Sequence, residues 1–475
     1  MLAACSGGSN VGSPLPQQVQ QDQPSLQPQM PAPAGVDLSS ALSVTAGIPK
    51  HIDTWAFDQY GSQGRTATSA LVRQWVTYAE SGLGNTKPVT DCPNSQSACH
   101  SVFYMDPNFV YAGTHCVSSE AAAFMRAANE SWFVHERGYA DYAHRVHGNY
   151  IKNCAGRMVT VPVYLRNDNS PAVRAFLLLY LRANADAWSY YFMDDTKSRV
   201  LTQAYGPGGG FCHNVASPYY CRSTQEMPTD SSVLQAHSFF ANAMNHVNGS
   251  PMKFFFNSMT FTNGRADDLG LLQASSHFVG GVCEDCIVNG GALRPSMYET
   301  ALNAMAQINA VPGARFVELN TSPAAPGSAA NIEQRAISNA IAWLGYSQGH
   351  TIVFKDLEDA NDGLAVWPED GIVPTLALQS MSRSAADISV APGVWRREFR
   401  ACYNQGVAIG PCAAIVNSTS RAVTVRSTWL RQAYYHVVTF RGGDVASGGR
   451  LLLTSSPFRV NSTYVPAAQG MMIAR

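Results

Sequence analysis

Between residues 50 and 356, short and almost unbroken apolar runs alternate with amphipathic segments, and this rhythm limits the fold more than any other feature of the chain. The runs are "IDTWAFDQYG", "SVFYMDPNFVY", "WFVHERG", "MVTVPVYL", "SYYFMDD", "KFFFNSM", "HFVGGVCED", "ARFVELNTS" and "HTIVFKDLED". A strand with water on one face alternates polar and apolar residues. A strand buried on both faces does not, and it belongs in a parallel sheet covered by helices. The segments between the runs carry helical spacing and start signals. "TATSALVRQWVTYAES" opens with capping residues, and "SPAVRAFLLLYLRANADA" sets Ser170 before Pro171. "SSVLQAHSFFANAMNHV", "SMYETALNAMAQIN" and "NIEQRAISNAIAWLGY" behave alike. About eight strand–helix units in roughly 300 residues fit a (β/α)8 TIM barrel. Nine runs are one too many, so one belongs outside the barrel. A doubly wound sheet is the competing arrangement, but no G-x-G-x-x-G follows a strand and no Walker A sequence occurs.

Beyond about residue 385 the pattern changes to short β-rich runs with Gly, Asn and Ser turns, as in "GRLLLTSSPFRVNSTYVPAAQGMMIAR". The expected organisation is a barrel over 46–384 and a small antiparallel, sandwich-like accessory β domain over 385–475. Ahead of these lies a Pro/Gln-rich tether over 6–45, which has too few core-forming residues to fold. Residues 1–5 end in "LAAC", a lipobox-like sequence that makes Cys5 a lipid-attachment site and points to a cleaved signal peptide. An acylated Cys5 on a tether predicts a lipoprotein of the bacterial cell envelope, periplasmic or on the outer-membrane surface, touching the membrane only through that anchor.

Eleven cysteines agree with an oxidising compartment. With Cys5 set aside, close pairs suggest the disulfides Cys92–Cys99, Cys212–Cys221, Cys283–Cys286 and Cys402–Cys412, leaving Cys116–Cys154. A single C-x-x-C without a second pair argues against zinc. Cys283 also ends an apolar run instead of opening a helix, which argues against a thioredoxin-type dithiol. The net charge of −1 gives no bulk attraction for nucleic acid, and no apolar run reaches 18 residues. A monomer without cofactor is expected.

In TIM barrels the chemistry sits at the C-terminal ends of the strands. Here nearly every run ends in an acid or amide. The candidates for substrate contact are Asp58, Asp106, His135, Glu136, Asp195, Asn257, Asp285, Glu318 and Lys355, with Trp55 and Tyr60 as stacking rings. Tyr104, Tyr139 and Trp367 are further aromatic candidates. Asp194 and Asp195 are adjacent, so strand alternation sends only one of them into the mouth. Glu284 follows the glycines of "FVGGV", which permit close approach by substrate or by a neighbouring strand, and the Cys283–Cys286 bridge would clamp it. Two carboxyl groups facing each other across a mouth suit glycosidic cleavage, one ionised and one protonated. A metal-dependent hydrolase would need a cluster that only the scattered His100, Asp106, His115 and His135 could supply. No calcium-loop sequence is present.

Three segments resemble the uncharacterised bacterial TIM-barrel proteins grouped as hypothetical glycosyl hydrolase family 15. "YYFMDD" is similar to that group's strand ending in Asp, and "GGVCED" to its later Gly-rich strand ending in Glu. "VWRREFRACYNQGVAIGPCAAIVNSTSRAVTV" resembles its accessory tail. The likeness runs over most of 50–475. It implies a sugar-cleaving barrel acting on an oligo- or polysaccharide, with Asp194 as nucleophile and Glu284 as acid/base. The alternatives are a non-catalytic carbohydrate-binding lipoprotein, or another hydrolase on the same scaffold.

Overall fold

The computed structural model describes residues 36–37, 49–58, 74–81, 99–112, 118–135, 140–142, 145, 147–154, 157–167, 170–194, 196, 230–257, 261–262, 265–266, 269–322, 324–356, 367–382, 384–445, 448–453 and 458–475. Eight parallel strands close into a barrel: β1 (Asp53–Asp58), β2 (Tyr78–Ser81), β3 (His100–Met105), β4 (Tyr190–Met193), β5 (Phe254–Asn257), β6 (Phe278–Glu284), β7 (Arg315–Thr321) and β8 (Thr351–Asp356). Each pairs with its neighbour in sequence, and β8 pairs with β1 to complete the circle. Helices wholly within the described residues include α1 (Ser119–Ala127), α2 (Pro171–Asn184), α3 (Asp230–Ala243), α4 (Leu269–Ala274), α5 (Tyr298–Asn309) and α6 (Ala329–Gly345).

Alternation along each strand explains the unbroken apolar runs. Trp55, Tyr78, Val102, Tyr104, Phe192, Phe255, Val282, Val317, Leu319 and Ile352 fill the barrel interior. Residues of the opposite parity, among them Phe103, Tyr191, Met193, Phe254, Phe256 and Phe316, pack outward into the helix layer. A run such as "FFF" therefore has no solvent face to make polar.

Seven of the nine runs contain barrel strands. "MVTVPVYL" instead lies in the strand Arg157–Leu165, in the middle of a three-stranded antiparallel sheet with Phe109–Tyr111 and His147–Cys154, inserted between β3 and α2. "WFVHERG" contributes only isolated bridges, Phe133 to Arg166 and His135 to Arg145. The eighth barrel strand comes from the stretch expected to be helical over 66–81. Gln74 and Trp75 are helical, but Tyr78–Ser81 extends and pairs with Trp55–Asp58 on one side and His100–Phe103 on the other. Two flanking ladders outweigh local helical spacing in a four-residue segment.

The C-terminal region forms an antiparallel sheet of eight strands. Its strands include Ile372–Ala377 (β9), Val394–Asn404 (β10), Val407–Asn417 (β11), His436–Arg441 (β12), Arg450–Leu453 (β13) and Gln469–Ala474 (β14). It begins upstream of residue 385. Its outer edge is Val36–Asp37, paired with Leu453 and Leu452, inside the stretch expected as tether. The rest of 6–45, Cys5 included, lies outside the described residues.

One face of this sheet packs on α6, which is sandwiched between sheet and barrel and buries polar residues along with Ile337, Ile341 and Trp343. Arg335 and Glu369 are both fully buried and joined by two bonds, Nε to Oε1 at 2.8 Å and Nη2 to Oε2 at 2.6 Å. The guanidinium also donates to Gly442 O at 2.8 Å and lies over the Trp367 ring. Trp367 is thus a structural ring at this junction. Arg397 donates to Leu344 O and Tyr346 O at the C-terminal end of α6, where free carbonyls and the helix dipole favour a cation. Burial pulls its pKa down to about 10. The Cys402–Cys412 bridge is formed between β10 and β11.

Removing one member of a buried, doubly bonded ion pair leaves the other charge without compensation, which costs about 3–5 kcal/mol. Glu369→Gln should lower the unfolding free energy by about that amount, read as a reduced midpoint in urea with an unchanged slope. A loss below about 1 kcal/mol, the scale of an exposed pair, would show that water reaches this junction.

Candidate active site

The strands deliver their last inward residues to one mouth. Phe192 and Phe255 point into the barrel, so Asp194 and Asn257, two residues further on, return to the same side. Val282 does the same for Glu284 on β6. Asn257 Nδ2 donates to Asp194 Oδ1 at 2.7 Å and to Glu284 Oε2 at 2.6 Å. Because the two bonds share one nitrogen, the two carboxylate oxygens lie no farther apart than both lengths together, about 5.3 Å. Only the NH2 end of an amide can donate to two carboxylates, which fixes the orientation of Asn257. Tyr104 OH donates to Asp194 Oδ2 at 2.5 Å. Both oxygens of Asp194 are therefore held by donors, and burial together with the Asp194 charge keeps the Tyr104 phenol far above its ordinary pKa.

Glu284 is rigidly mounted. Cys283–Cys286 is formed, with Cα atoms 5.7 Å apart and both sulfurs buried. Asp285, immediately after Glu284, takes φ 56°, the left-handed region, and reverses the chain there. It is held by its N–H to Leu319 O at 2.9 Å, by Thr321 Oγ1 to its Oδ1 at 2.5 Å and by Arg294 Nη1 to its carbonyl at 2.8 Å. Asn320 Oδ1 accepts from Ile287 N and Val288 N, tying down the two residues that follow Cys286. The glycine run before Glu284 answers to packing. A Cβ on Gly280 would stand 2.5 Å from Arg315 O and 2.8 Å from the Phe255 ring, so a neighbouring strand and an interior ring occupy that space.

A third acid, Glu80 of β2, was not anticipated. It is fully buried and accepts Trp55 Nε1–H on Oε2 at 2.7 Å. Burial pushes its carboxyl well above the usual range, and the nearby Asp194 and Glu284 charges push the same way, against the indole bond. The helical reading of 66–81 hid it. Read with a period of two, Tyr78 and Glu80 fall on one face.

The other expected contacts divide into groups. Trp55 is 3% exposed and packs edge-on against Phe255 and Phe192, as interior filling below the mouth. Glu318 is turned to the helix layer, because Val317 and Leu319 take the inward positions. It is fully buried and bonded to Asn320 and to Ser338 of α6. Asp285 serves the turn. Asp106 folds its own turn by accepting from the N–H groups of Asn108 and Phe109. His135 contacts Glu130, which is paired with Arg145, within the insertion. The side chains of Asp58 and Lys355 lie outside the described residues, as do Tyr60, Glu136, Tyr139, Asp195 and His115. The same holds for the pairings Cys92–Cys99, Cys116–Cys154 and Cys212–Cys221, although Cys99 is disulfide-bonded. His100 stands at the barrel floor against the Tyr78 and Tyr190 rings, at the opposite end of β3 from Asp106. Among the described residues no group of three or more His, Cys, Asp or Glu is placed to hold a metal. No described helix is long and apolar enough to cross a membrane.

No family model matches the chain, and no curated protein does. Among solved structures it is similar to pullulanase from Bacillus acidopullulyticus, with a TM-score of 0.42 and 10% identity over 91% of this chain and 61% of that one. The chain thus spans about three fifths of that enzyme's length. A conserved exported protein from Bacteroides fragilis gives 0.37 and 10% over 91% and 99% of the two chains. A GH30 endoxylanase from Clostridium papyrosolvens C71 gives 0.35 and 11% over 91% and 98%. Superposition this loose says nothing about the chemistry of the mouth.

The buried acids set a pH dependence. Glu80, Asp53 and Asp285 all have raised carboxyl pKa values, chiefly through burial. The folded chain therefore holds these protons more tightly than the unfolded chain. Their contribution is fully present below the unfolded values, 3.8 for Asp and 4.5 for Glu, and is lost as pH rises from there to the folded values. Unfolding midpoints should fall across that interval, and Glu80→Gln should flatten the fall. An unchanged slope in the variant would refute the assignment to Glu80.

Proposed function

We propose that this chain is a glycoside hydrolase that cleaves an extracellular or cell-surface polysaccharide with retention of anomeric configuration, with Asp194 as nucleophile and Glu284 as general acid and base. The observation that carries the proposal is the shared amide of Asn257, which holds Asp194 Oδ1 and Glu284 Oε2 within about 5.3 Å of each other. Retaining cleavage uses carboxyl groups about 5–5.5 Å apart, and inversion needs about 6.5–9.5 Å to admit a water. Asp194 suits the nucleophile because two donors, Tyr104 and Asn257, hold both of its oxygens in place at the mouth. Glu284 accepts on Oε2, so a proton on it belongs to Oε1. The endings of "YYFMDD" and "GGVCED", similar to those of the hypothetical glycosyl hydrolases, support the same roles. The Cys283–Cys286 and Cys402–Cys412 disulfides and the lipobox-like "LAAC" support an envelope location.

In the first step an Asp194 oxygen bonds to the anomeric carbon while the bond to the departing sugar oxygen breaks, and Glu284 gives that oxygen its proton. In the second step Glu284, now ionised, takes a proton from water, whose oxygen displaces Asp194. One water is consumed, and both side chains return to their starting states. Asn257 and Tyr104 hold the geometry throughout, so little reorganisation accompanies the change in charge.

Incubation with a panel of polysaccharides should release reducing ends. Asp194→Asn and Glu284→Gln should each lower kcat/KM by about 10²–10⁴-fold or more without changing the circular dichroism spectrum. Proton NMR of the first product formed should show the anomer of the substrate. The inverted anomer would overturn the assignment of Asp194 as nucleophile. A wild-type protein that binds glycans but cleaves none would establish the non-catalytic alternative.

A further inference from the structure

Glu80 takes no part in the two steps above, yet it lies near both acids. Its Oε2 accepts the Trp55 indole N–H at 2.7 Å, and its Oε1 is buried without a hydrogen-bond partner among the described residues. An ionised carboxylate in that position would keep a single N–H donor in a fully buried setting, and charges so poorly compensated are strongly disfavoured. The charged groups acting on it are Asp194 on β4 and Glu284 on β6, both negative when ionised. Tyr104, on the neighbouring β3, is a neutral phenol. A proton on Oε1 removes the conflict and leaves Oε2 free to accept from the indole.

The indole is the centre of the interior packing. Its ring meets Phe255 edge-on with centroids 4.9 Å apart and Phe192 edge-on at 5.9 Å, and it stacks on Tyr78 at 5.6 Å. Phe192 and Phe255 are the inward residues next below Asp194 and Asn257 on their strands. The rotation of one indole ring thus bears on both rings that support the nucleophile and the amide bridge. The Trp55 N–H donates to Glu80, and an apolar side chain in its place would take this bond from a buried donor.

We propose that Glu80 is a positioning residue of this site, a carboxylic acid kept in its protonated form that locks the Trp55 indole under Asp194 and Asn257. What it positions rests on the glycosidase reading. Its protonation and its grip on Trp55 do not.

The test has two independent arms. In the first, the infrared spectrum of folded wild-type protein near neutral pH should contain carbonyl absorption of protonated carboxylic acids, and Glu80→Gln should remove one component of it. A spectrum identical in the two proteins would overturn the proposal. In the second, Glu80→Leu and Trp55→Phe are assayed on a polysaccharide that the wild type cleaves. Each should lower kcat about tenfold or more and leave KM within about twofold, and Glu80→Gln, which keeps an acceptor for the indole, should recover most of what Glu80→Leu loses. A loss expressed in KM, or a Glu80→Gln variant as impaired as Glu80→Leu, would overturn the positioning role. If Glu80→Leu does not fold, Trp55→Phe with Glu80→Gln carries the same comparison. If the wild type cleaves no glycan, the glycosidase reading fails. The infrared arm and the NMR shift of the Trp55 indole proton between wild type and Glu80→Gln then still decide the Glu80–Trp55 pairing.

Discussion

A single amide nitrogen makes the mouth of this barrel tenable. Two carboxyl groups with oxygens within about 5.3 Å repel each other whenever both are ionised, and the low-dielectric rim strengthens that repulsion. Asn257 supplies one N–H to each and converts a repulsive pair into a bridged one. The strand order makes this possible. Neighbouring strands stand about 4.8 Å apart, so β4 and β6 are separated by roughly twice that. The acids they carry can approach only over the strand between them. That strand is β5, and its inward terminal residue is Asn257.

The support beneath the bridge follows from the same alternation. Every inward residue at the rim stands on an inward residue two positions earlier, and those residues are aromatic or branched. Aromatic side chains are large and have few rotamers, so they fix the spacing of the strands that carry the acids. Glu80 is a polar group set beside these residues. A barrel interior tolerates such a group only with a partner and a proton, and the Trp55 indole supplies the partner.

The sequence made much of this legible because a doubly buried strand has a recognisable composition. "YYFM", "FFFN" and "FVGGVCE" could be placed, and their last residues are the ones that meet. What escaped detection has physical causes. Tyr78–Ser81 has only four residues, preceded by apolar positions at helical spacing, so no periodicity could reveal that two ladders would claim it. Arg157–Leu165 has the composition of a barrel strand because Val161, Val163, Tyr164 and Leu165 are also buried, and composition reports burial but not topology. Trp55 and Glu318 were misjudged for a simpler reason. A residue near the end of a run points inward or outward according to register, and register becomes visible only when the neighbouring strands are known. Asn257 was singled out as a polar strand end, but nothing in the chain announces that its amide would span two acids.

The accessory sheet bears on the mouth through a continuous set of contacts. Arg335, bound to Glu369, and Arg397, bound to the carbonyls at the end of α6, seat that helix between sheet and barrel. Ser338 of α6 bonds Glu318 and Asn320 on the outward face of β7. Asn320 in turn holds the N–H groups of Ile287 and Val288, just past the Cys283–Cys286 bridge that contains Glu284. Each of these polar groups is buried, so each bond excludes water and is costly to leave unmade. Glu318 thus has a clear task, although it faces away from the barrel mouth. It belongs to the chain of bonds by which a helix clamped by the C-terminal sheet holds in place the loop carrying the second acid. An acid outside the mouth and an asparagine between two acids serve the same end, the fixed separation of Asp194 and Glu284.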